Sequence, residues 1–304
     1  MANGVLIVDK PADWTSQDVV SKLRGVFHER RVGHGGTLDP MATGVLPVFF
    51  GRATRAVEFF EHAEKTYEAT LRLGCVTDTQ DSTGTVLERC PVEVSRAALG
   101  EVLTRFLGRQ SQIPPMYSAI KVGGKKLYEL ARSGREVERK PRSIHVFSID
   151  LLKFDGTEAV LRIHCSKGTY VRTLCHDIGA ALGCGGCMAA LRRVRSGRFT
   201  LEDALTFEEI SALLAENALE SRLFPTDSVF SDLPEVHLNA EGDIRAGHGS
   251  FFAEKHLQAG AVPPQGELCR VYDSGGAFCQ IGQARELDRG GTAIFCKINF
   301  GSKE

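Results

Sequence analysis

Asp39 is an isolated carboxylate in a glycine-rich stretch, residues 31–47, that reads RVGHGGTLDPMATGVLP. Its glycines allow positive φ and close approach of a second molecule, while Pro40 stiffens the chain beside the acid. No other charged residue follows until Arg52, and the apolar run after the loop predicts a buried strand. A carboxylate at the edge of such a strand needs a cationic or hydrogen-bonding partner, so the pattern indicates a catalytic loop.

The residues alone leave other interpretations of this loop open. Asp39 and Thr37 are also compatible with a simple turn, because Asp-Pro and Gly-rich pairs mark turns. A P-loop requires a Lys after the glycines, and a dinucleotide fingerprint requires GxGxxG between a strand and a helix, so both fit poorly. A glycosidase requires a second carboxylate nearby, which the sequence does not exclude.

Two further motifs could carry chemistry. Tyr170 and Arg172 are two residues apart, and on an extended segment such residues project from the same side. The alternative for this pair is an ordinary surface strand. Cys184 and Cys187 form a CxxC without a second ligand pair at zinc-finger spacing, so we predict ordinary thiols and no metal site.

The composition is that of a globular protein large enough for two domains. The 304 residues are 42% hydrophobic, and no run approaches the ~18 apolar residues of a membrane span. The first ten residues lack the basic region of a signal peptide, which predicts a cytoplasmic protein. Nine cysteines are an odd number, and in this context they indicate reduced thiols rather than a disulfide framework.

The charges are segregated, although the net charge is only −1. Residues 121–142 contain eight Lys or Arg against three Glu, while residues 202–220 carry six acids and no base. Four arginines, at 192, 193, 195 and 198, lie in a stretch without an acid. This distribution predicts one cationic face for a phosphate backbone, although any single run also fits a solvated helix face.

Periodicity and end signals predict the elements that position these residues. Thr15 and Asp18 resemble a capping box that starts a helix ending near Phe27. The short strands and Gly-rich turns from 236 onward predict a small all-β barrel after a linker at 225–234. Strands are also predicted at 4–9, 66–73, 142–154 and 159–165, and the last two should be adjacent and antiparallel. Further helices are predicted at 53–61, 95–107, 127–133, 174–182 and 206–219.

The motifs together resemble those of a known family. GHGGTLDPMATGVLPV, at 33–48, is similar to the signature of the tRNA pseudouridine-55 synthases, the TruB family. Matches follow over nearly the whole chain in the family's order: VDKPADWTSQDVV, KTYEATLRLGCVTDTQDSTG, PPMYSAIKVGGKKLYELAR, CSKGTYVRTLCHDIG and LRRVRSGRF. The family commonly carries His where Cys187 stands. The resemblance implies isomerisation of uridine to pseudouridine at position 55 in the T loop of tRNA.

The resemblance also implies roles for the matched residues. Asp39 corresponds to the nucleophile, Arg172 to its partner, Tyr67 to the residue that stacks on the target uracil, and Tyr170 to the residue beside the carbon that loses its proton. His34 would occupy or open the position that the flipped base leaves. Lys10 belongs to a KP segment that supports the catalytic loop. The expected RNA contacts are His34, Lys10, Leu191, Arg192 and Arg193.

The fold implied is α+β: a pseudouridine synthase catalytic domain with a mixed, largely antiparallel sheet, at 1–228, and a small PUA-like all-β barrel at 232–304. No cofactor is expected, because isomerisation leaves the composition of the base unchanged. The expected partner is tRNA, through its T arm, with a monomeric enzyme and no protein partner. Two other functions remain open at this point: a non-catalytic tRNA-binding folding factor and an Asp-nucleophile glycosidase.

Overall fold

The computed structural model describes residues 2–118, 120–288 and 290–301. Its helices are α1 (Ser16–Phe27), α2 (Val57–Phe60), α3 (Arg96–Thr104), α4 (Leu127–Arg132), α5 (Val171–Ala181), α6 (Phe207–Ala215) and α7 (Ala240–Gly247). Its strands are β1 (Gly4–Lys10), β2 (Val32–His34), β3 (Thr43–Phe50), β4 (Lys65–Leu73), β5 (Cys75–Thr77), β6 (Val86–Arg89), β7 (Gly108–Gln112), β8 (Lys121–Val122), β9 (Lys125–Lys126), β10 (Arg142–Phe154), β11 (Glu158–Cys165), β12 (Gly186–Ser196), β13 (Phe199–Thr200), β14 (Glu235–Leu238), β15 (Leu257–Ala259), β16 (Leu268–Tyr272), β17 (Phe278–Glu286) and β18 (Thr292–Asn299).

A large mixed sheet organises the N-terminal two thirds of the chain, from β1 to β13. Its strands run in the order β1-β3-β12-β4-β11-β10-β7, with β2 added to β3 and β13 to β12. Among the strand pairs that the structure describes in this sheet, β3–β12 is the one parallel pairing. The predicted neighbours β10 and β11 do pair antiparallel.

The two faces of this sheet follow the period-2 alternation of its strands. On β4, Ala69 and Leu71 are fully buried in a core cluster that also contains residues of α3 and α5. The alternate residues form exposed ion pairs with the neighbouring strand, such as Arg162–Glu68 at 2.7 Å. At β4 and β11, the apolar face therefore packs against α3 and α5 and the polar face is solvated, whereas β1 and β3 are buried on both faces.

Helix α1 confirms its predicted start. Thr15 accepts a hydrogen bond from the backbone N–H of Asp18, and the Asp18 carboxylate accepts one from the N–H of Thr15. This reciprocal cap satisfies backbone donors that a helix N-terminus otherwise leaves unpaired. The same helix packs Val19, Val20 and Leu23 against β1 and β3.

Helix α5 begins earlier than predicted. It starts at Val171 rather than 174, so the expectation of an extended segment through Tyr170 and Arg172 is wrong. The chain reverses directly after β11 because Gly168 adopts φ 76°, a conformation that glycine accepts without steric cost. Tyr170 becomes the N-cap of α5, and Arg172 is its second helical residue.

Other helix boundaries also differ from the predictions. The helix expected at 53–61 is a 3-10 segment, Gly51–Ala56, followed by the single turn of α2. Helix α6 ends at Ala215, four residues before the predicted end at 219. Ends of helices are set by tertiary contacts as much as by local propensity, so differences of this size are expected.

The C-terminal part forms a second sheet, in the order β15-β14-β16-β17-β18. It also contains α7, a helix that the all-β prediction missed, which begins at the N-cap Asn239. The module shares a hydrophobic cluster with the catalytic part: Ile281 and Phe300 pack with Phe199 and Phe230. The two parts are thus joined by a common core rather than by the linker alone.

Candidate active site

Asp39 lies in the loop between β2 and β3, at the edge of the large sheet. The loop is tightened by a hydrogen bond from the N–H of Ala42 to the carbonyl of Asp39, at 3.0 Å. Gly36 has φ 121°, which only glycine adopts readily. The Asp39 side chain remains 34% exposed, so its carboxylate can meet a substrate while its backbone is held.

Arg172 contacts both oxygens of the Asp39 carboxylate, one through a hydrogen bond and the other through an ion pair. Its Nε lies 2.9 Å from Oδ2, and its Nη2 donates to Oδ1 at 3.1 Å. The guanidinium side chain is only 6% exposed. A bidentate pair of this kind fixes both the position and the orientation of the carboxylate.

A second carboxylate and two carbonyls hold Arg172 in turn. Its Nη1 lies 3.5 Å from Oδ2 of Asp81 and donates to the carbonyl of Thr79 at 3.3 Å, while Nη2 donates to the carbonyl of Tyr117 at 2.9 Å. Asp81 is 5% exposed and accepts hydrogen bonds from the hydroxyls of Thr79 and Thr83, at 2.8 and 2.6 Å. Our sequence reasoning assigned no role to Asp81. The motif TDTQDSTG contains it but does not show that it reaches Arg172.

The surroundings of Asp39 have opposing effects on the pKa of its carboxyl group. Burial raises the pKa of the Asp39 carboxyl, and the Asp81 charge adds to this, whereas the Arg172 guanidinium acts to lower it. A carboxylate that attacks a carbon must be ionised, so Arg172 works toward the reactive form.

Tyr67 and Arg193 stand opposite each other on adjacent strands, β4 and β12. Burial raises the pKa of the Tyr67 hydroxyl, so the phenol stays neutral. Arg193 is 1% exposed, and it donates to the carbonyls of Val45 and Gly36 at 2.7 and 3.2 Å. The sequence-based expectation placed Arg193 on RNA, but its guanidinium lies inside the protein, where it braces the catalytic loop beside Tyr67.

Tyr170 is held at the N-terminus of α5 by a reciprocal pair of hydrogen bonds with Gln112. Its N–H donates to Oε1 at 2.8 Å, and its carbonyl accepts from Nε2 at 3.1 Å. Burial raises the pKa of the Tyr170 hydroxyl, and the nearby Asp39 charge adds to the shift for both Tyr170 and Tyr67. Both phenols therefore lie within electrostatic reach of the Asp39 carboxylate.

His34 ends β2 at the start of the catalytic loop. Burial lowers the pKa of its imidazole, and the charge of Arg193 adds to the effect, so the neutral form is favoured. Its Nδ1 is buried and has no hydrogen-bond partner among the described residues. An unpaired polar atom beside a catalytic loop is open to a partner that the protein itself does not supply.

Lys10 and Lys65 are both buried close to the loop. The Lys10 ammonium donates to the carbonyls of Pro11, Trp14 and Pro40, at 2.8, 2.6 and 3.1 Å. Burial lowers the pKa of both ammonium groups to about 8. These contacts fit the loop-supporting role expected for Lys10, whereas its enclosed ammonium does not face a nucleic acid.

The remaining expected RNA contacts differ in their accessibility. Arg192 is 40% exposed but is paired with Asp9 at 2.7 Å. Leu191 is 8% exposed and lines a cavity of about 240 Å³ together with Met41 and Thr43. Of the four arginines expected on one cationic face, Arg198 is the one that is exposed and, within the described part of the chain, has no carboxylate partner.

The CxxC cysteines are both buried, Cys184 at 5% and Cys187 at 1% exposure. Burial raises the pKa of the Cys187 thiol to about 11, which keeps it protonated and a poor metal ligand. Over residues 2–118, 120–288 and 290–301, no group of three or more His, Cys, Asp and Glu side chains is placed to hold a metal ion. In the same ranges no helix has the length and apolar character required to cross a membrane.

Comparison with known proteins identifies the family. The model of the TruB family pseudouridylate synthase N-terminal domain matches residues 24–171, and that of the tRNA pseudouridylate synthase B C-terminal domain matches residues 172–231. tRNA pseudouridine synthase B of Pseudomonas fluorescens (strain Pf0-1) is 42% identical over 292 residues, covering 94% of this chain and 93% of the relative. The protein of that name from Dechloromonas aromatica (strain RCB) is 47% identical over 248 residues, covering 82% and 83%.

Solved structures are similar over nearly the whole chain. A Cbf5-Nop10-Gar1 complex contains a chain that is 27% identical, with a TM-score of 0.77 over 99% of this chain and 86% of that one. The structure of an H/ACA RNP bound to a substrate RNA containing 2′-deoxyuridine contains a chain that is 25% identical, with a TM-score of 0.76. The match covers 99% of this chain and 86% of that chain. The predicted α+β fold of pseudouridine synthase type is confirmed.

The chain belongs to the TruB family of pseudouridylate synthases. It is therefore an enzyme of the isomerase class, and its relatives indicate uridine in tRNA as the substrate. The family resemblance inferred from the motifs is confirmed.

Proposed function

We propose that this protein converts the uridine at position 55 in the T loop of tRNA to pseudouridine, with Asp39 as the nucleophile. The observation that carries the proposal is the partly exposed Asp39 carboxylate, which the buried Arg172 holds through a hydrogen bond to Oδ1 and an ion-pair contact to Oδ2. A carboxylate that is ionised, aligned and still accessible is what nucleophilic attack at a sugar carbon requires.

The reaction breaks the bond from ribose to uracil N1 and forms one to C5. A uridine stacked in a folded T loop must first leave the stack, and the cost of unstacking is a few kcal/mol. Tyr67 would receive the extruded base on its ring, because its phenol stays neutral and lies near Asp39. His34 would fill or open the vacated position, and its unpaired buried Nδ1 offers a polar contact there.

Asp39 then attacks the ribose anomeric carbon or, in the alternative route, assists formation of a glycal. In the nucleophilic route, the bond from the anomeric carbon to N1 breaks as the bond to Asp39 forms. After the uracil has turned, C5 bonds to the same carbon and the bond to Asp39 breaks, which returns the free carboxylate. The proton on C5 is lost to Tyr170 or to a base that Tyr170 positions. N1 gains a proton, so the composition of the nucleotide is unchanged. Gln112 holds the backbone of Tyr170 in this place. Burial and the Asp39 charge raise the pKa of the Tyr170 hydroxyl, which favours Tyr170 as the residue that positions the base over Tyr170 as the base itself.

The second carboxylate near Asp39 does not act as a glycosidase acid would. Asp81 is buried, its Oδ1 accepts from two threonine hydroxyls, and its Oδ2 faces Arg172. A glycosidase needs its second carboxyl group beside the scissile bond. Asp81 instead supports the partner of the nucleophile.

Binding of tRNA would use exposed cations near this end of the sheet. Lys167 is exposed and contacts His62 at 2.6 Å, and Arg198 is exposed and donates to the carbonyl of Ser228 at 3.3 Å. In the ranges that the structure describes, neither cation has a carboxylate partner, so both are available for phosphates.

The test is to map pseudouridine in T-arm transcripts after incubation with the wild-type enzyme and with Asp39→Asn. This substitution keeps the size of the side chain and removes the nucleophile. We expect modification at position 55 by the wild type, none by the variant, and nearly equal tRNA affinity. Multiple turnover by Asp39→Asn near the wild-type rate would contradict the proposed mechanism, and modification at another position would contradict the proposed site.

A further inference from the structure

The backbone on both sides of Asp39 is held by one distant segment, residues 10–16. Ser16, the first residue of α1, is 2% exposed. Its hydroxyl accepts a hydrogen bond from the N–H of Leu38 at 2.9 Å and donates one to the carbonyl of the same residue at 3.3 Å. Leu38 directly precedes Asp39 in the chain.

The residue that follows Asp39 is held by the same segment. The carbonyl of Pro40 accepts from the N–H of Asp13 at 2.9 Å and from the Lys10 ammonium at 3.1 Å. Asp13 adopts φ 65°, a left-handed conformation that is uncommon for a residue other than glycine. Its N–H points at Pro40 in this conformation, so the segment grips the loop one residue before and one residue after the carboxylate.

We propose that Ser16 is a positioning residue of the isomerisation, acting through the Leu38 peptide on Asp39. This inference rests on the proposed role of Asp39 as nucleophile. Arg172 fixes the two carboxylate oxygens but not the backbone that carries the side chain. Hydrogen bonds to the carbonyls of Asp39 and Pro40 hold that backbone on its C-terminal side. On its N-terminal side, the Ser16 hydroxyl holds it by binding both the N–H and the carbonyl of Leu38.

Serine suits this position because a hydroxyl both donates and accepts hydrogen bonds. The substitution Ser16→Ala would leave the buried N–H and carbonyl of Leu38 without their hydrogen-bond partner. The backbone at Leu38 would then reorient toward other hydrogen-bond partners. Helix α1 would still begin, since its cap is formed by Thr15 and Asp18 and does not involve the Ser16 side chain. The effect on Asp39 is therefore separable from loss of the helix.

The experiment compares Ser16→Ala with two serine controls. Ser21→Ala lies on the same helix and removes an exposed hydroxyl that donates to the carbonyl of Gln17. Ser196→Ala removes a fully buried hydroxyl that has no hydrogen-bond partner among the described residues. For each variant, the single-turnover rate at saturating enzyme, the Kd for tRNA, the melting temperature and the pH profile of the rate are measured.

For Ser16→Ala we expect a saturated single-turnover rate lower by about 10- to 100-fold, since a displacement of about 1 Å at a reacting group costs up to about 10²-fold. The Kd should stay within about twofold, because Ser16 is buried and does not meet the RNA. The acid limb of the pH profile should move to higher pH. A weaker contact with Arg172 lowers the pKa of Asp39 less, so the opposing effect of burial, which raises this pKa, becomes larger in comparison. Both control variants should keep the wild-type rate and profile.

Ser16→Cys covers the case in which Ser16→Ala does not fold. A thiol occupies nearly the same space but is a weak donor and acceptor, so we expect a rate between those of Ser16→Ala and the wild type. A wild-type rate and pH profile in a folded Ser16→Ala or Ser16→Cys protein would overturn the proposal, and so would an equal rate loss in Ser196→Ala. Activity of Asp39→Asn, measured in parallel, would instead show that the proposed nucleophile is wrong.

Discussion

Replacement of Arg172 by Lys tests the contact on which the proposed chemistry depends. The guanidinium contacts both oxygens of Asp39, through one hydrogen bond and one ion pair, and it also reaches Asp81 and two backbone carbonyls. An ammonium is a single point of charge with three donors, and it cannot keep both contacts with Asp39 and still reach the other groups. The substitution therefore removes at least one charge-assisted contact with Asp39, the proposed nucleophile.

The size of the effect follows from that loss. A hydrogen bond to a charged group is worth about 1.5–3 kcal/mol, and about 1.36 kcal/mol corresponds to a tenfold change in rate. We therefore expect a fall of about 10- to 150-fold in the saturated single-turnover rate, with little change in tRNA affinity.

The pH profile gives an independent reading of the same contact. Burial raises the pKa of Asp39 and Arg172 opposes this, so the acid limb of the wild-type rate should lie above the ordinary Asp value of about 3.9. A weaker partner leaves the pKa higher still. Because the ionised carboxylate is the reactive form, the acid limb of Arg172→Lys should move further toward neutral pH.

The assay is single-turnover pseudouridine formation across pH, with enzyme in excess over tRNA. Arg162→Lys is the matched control, because Arg162 also pairs with a carboxylate, Glu68, but on the solvated face of the sheet. The control should behave as the wild type. If Arg172→Lys also shows a wild-type rate and acid limb, then Arg172 is not the partner that keeps Asp39 reactive.

Three further predictions follow from the structure. Replacement of both Cys184 and Cys187 by Ala should lower the melting temperature, because both thiols are buried, but should leave the single-turnover rate unchanged. Stoichiometric zinc in the wild-type protein that is absent from the double variant would instead show a metal site. A chain that ends at 231 lacks part of the shared hydrophobic cluster, so it should have a lower melting temperature and bind tRNA more weakly. If the truncated chain is folded, its saturated single-turnover rate should stay within about tenfold of the full-length value. A rate loss of several orders of magnitude would show that the C-terminal module helps to assemble the active site. Lys167→Ala and Arg198→Ala should each reduce the slope of log affinity against log salt concentration by about 0.7–0.9, whereas the control Arg105→Ala should leave the slope unchanged. If the slopes of both variants equal that of the control, neither cation contacts a phosphate.

Some features of this protein were determined by the sequence through local signals. The capping box of Thr15 and Asp18 satisfies backbone donors within three residues, so it is visible without knowing the fold. The alternation in β10 and β11 likewise predicts their pairing. The glycines around Asp39 permit unusual backbone conformations and Pro40 restricts the chain, and these are local properties from which the loop could be predicted to be catalytic before its partner was known.

Only the tertiary structure decided which charged residues are buried and which are exposed. Arg192 and Arg193 are adjacent in sequence, yet one pairs with Asp9 near the surface and the other lies inside, since neighbours on a strand face opposite sides. Asp81 reaches Arg172 across 91 residues of sequence, and Ser16 reaches Leu38 across 22. A contact between distant segments depends on how the sheet and helices pack, and no local pattern records it. Local signals in the sequence therefore sufficed to predict the Asp39 loop as the candidate catalytic loop, and the packing decided which side chains hold that loop in place.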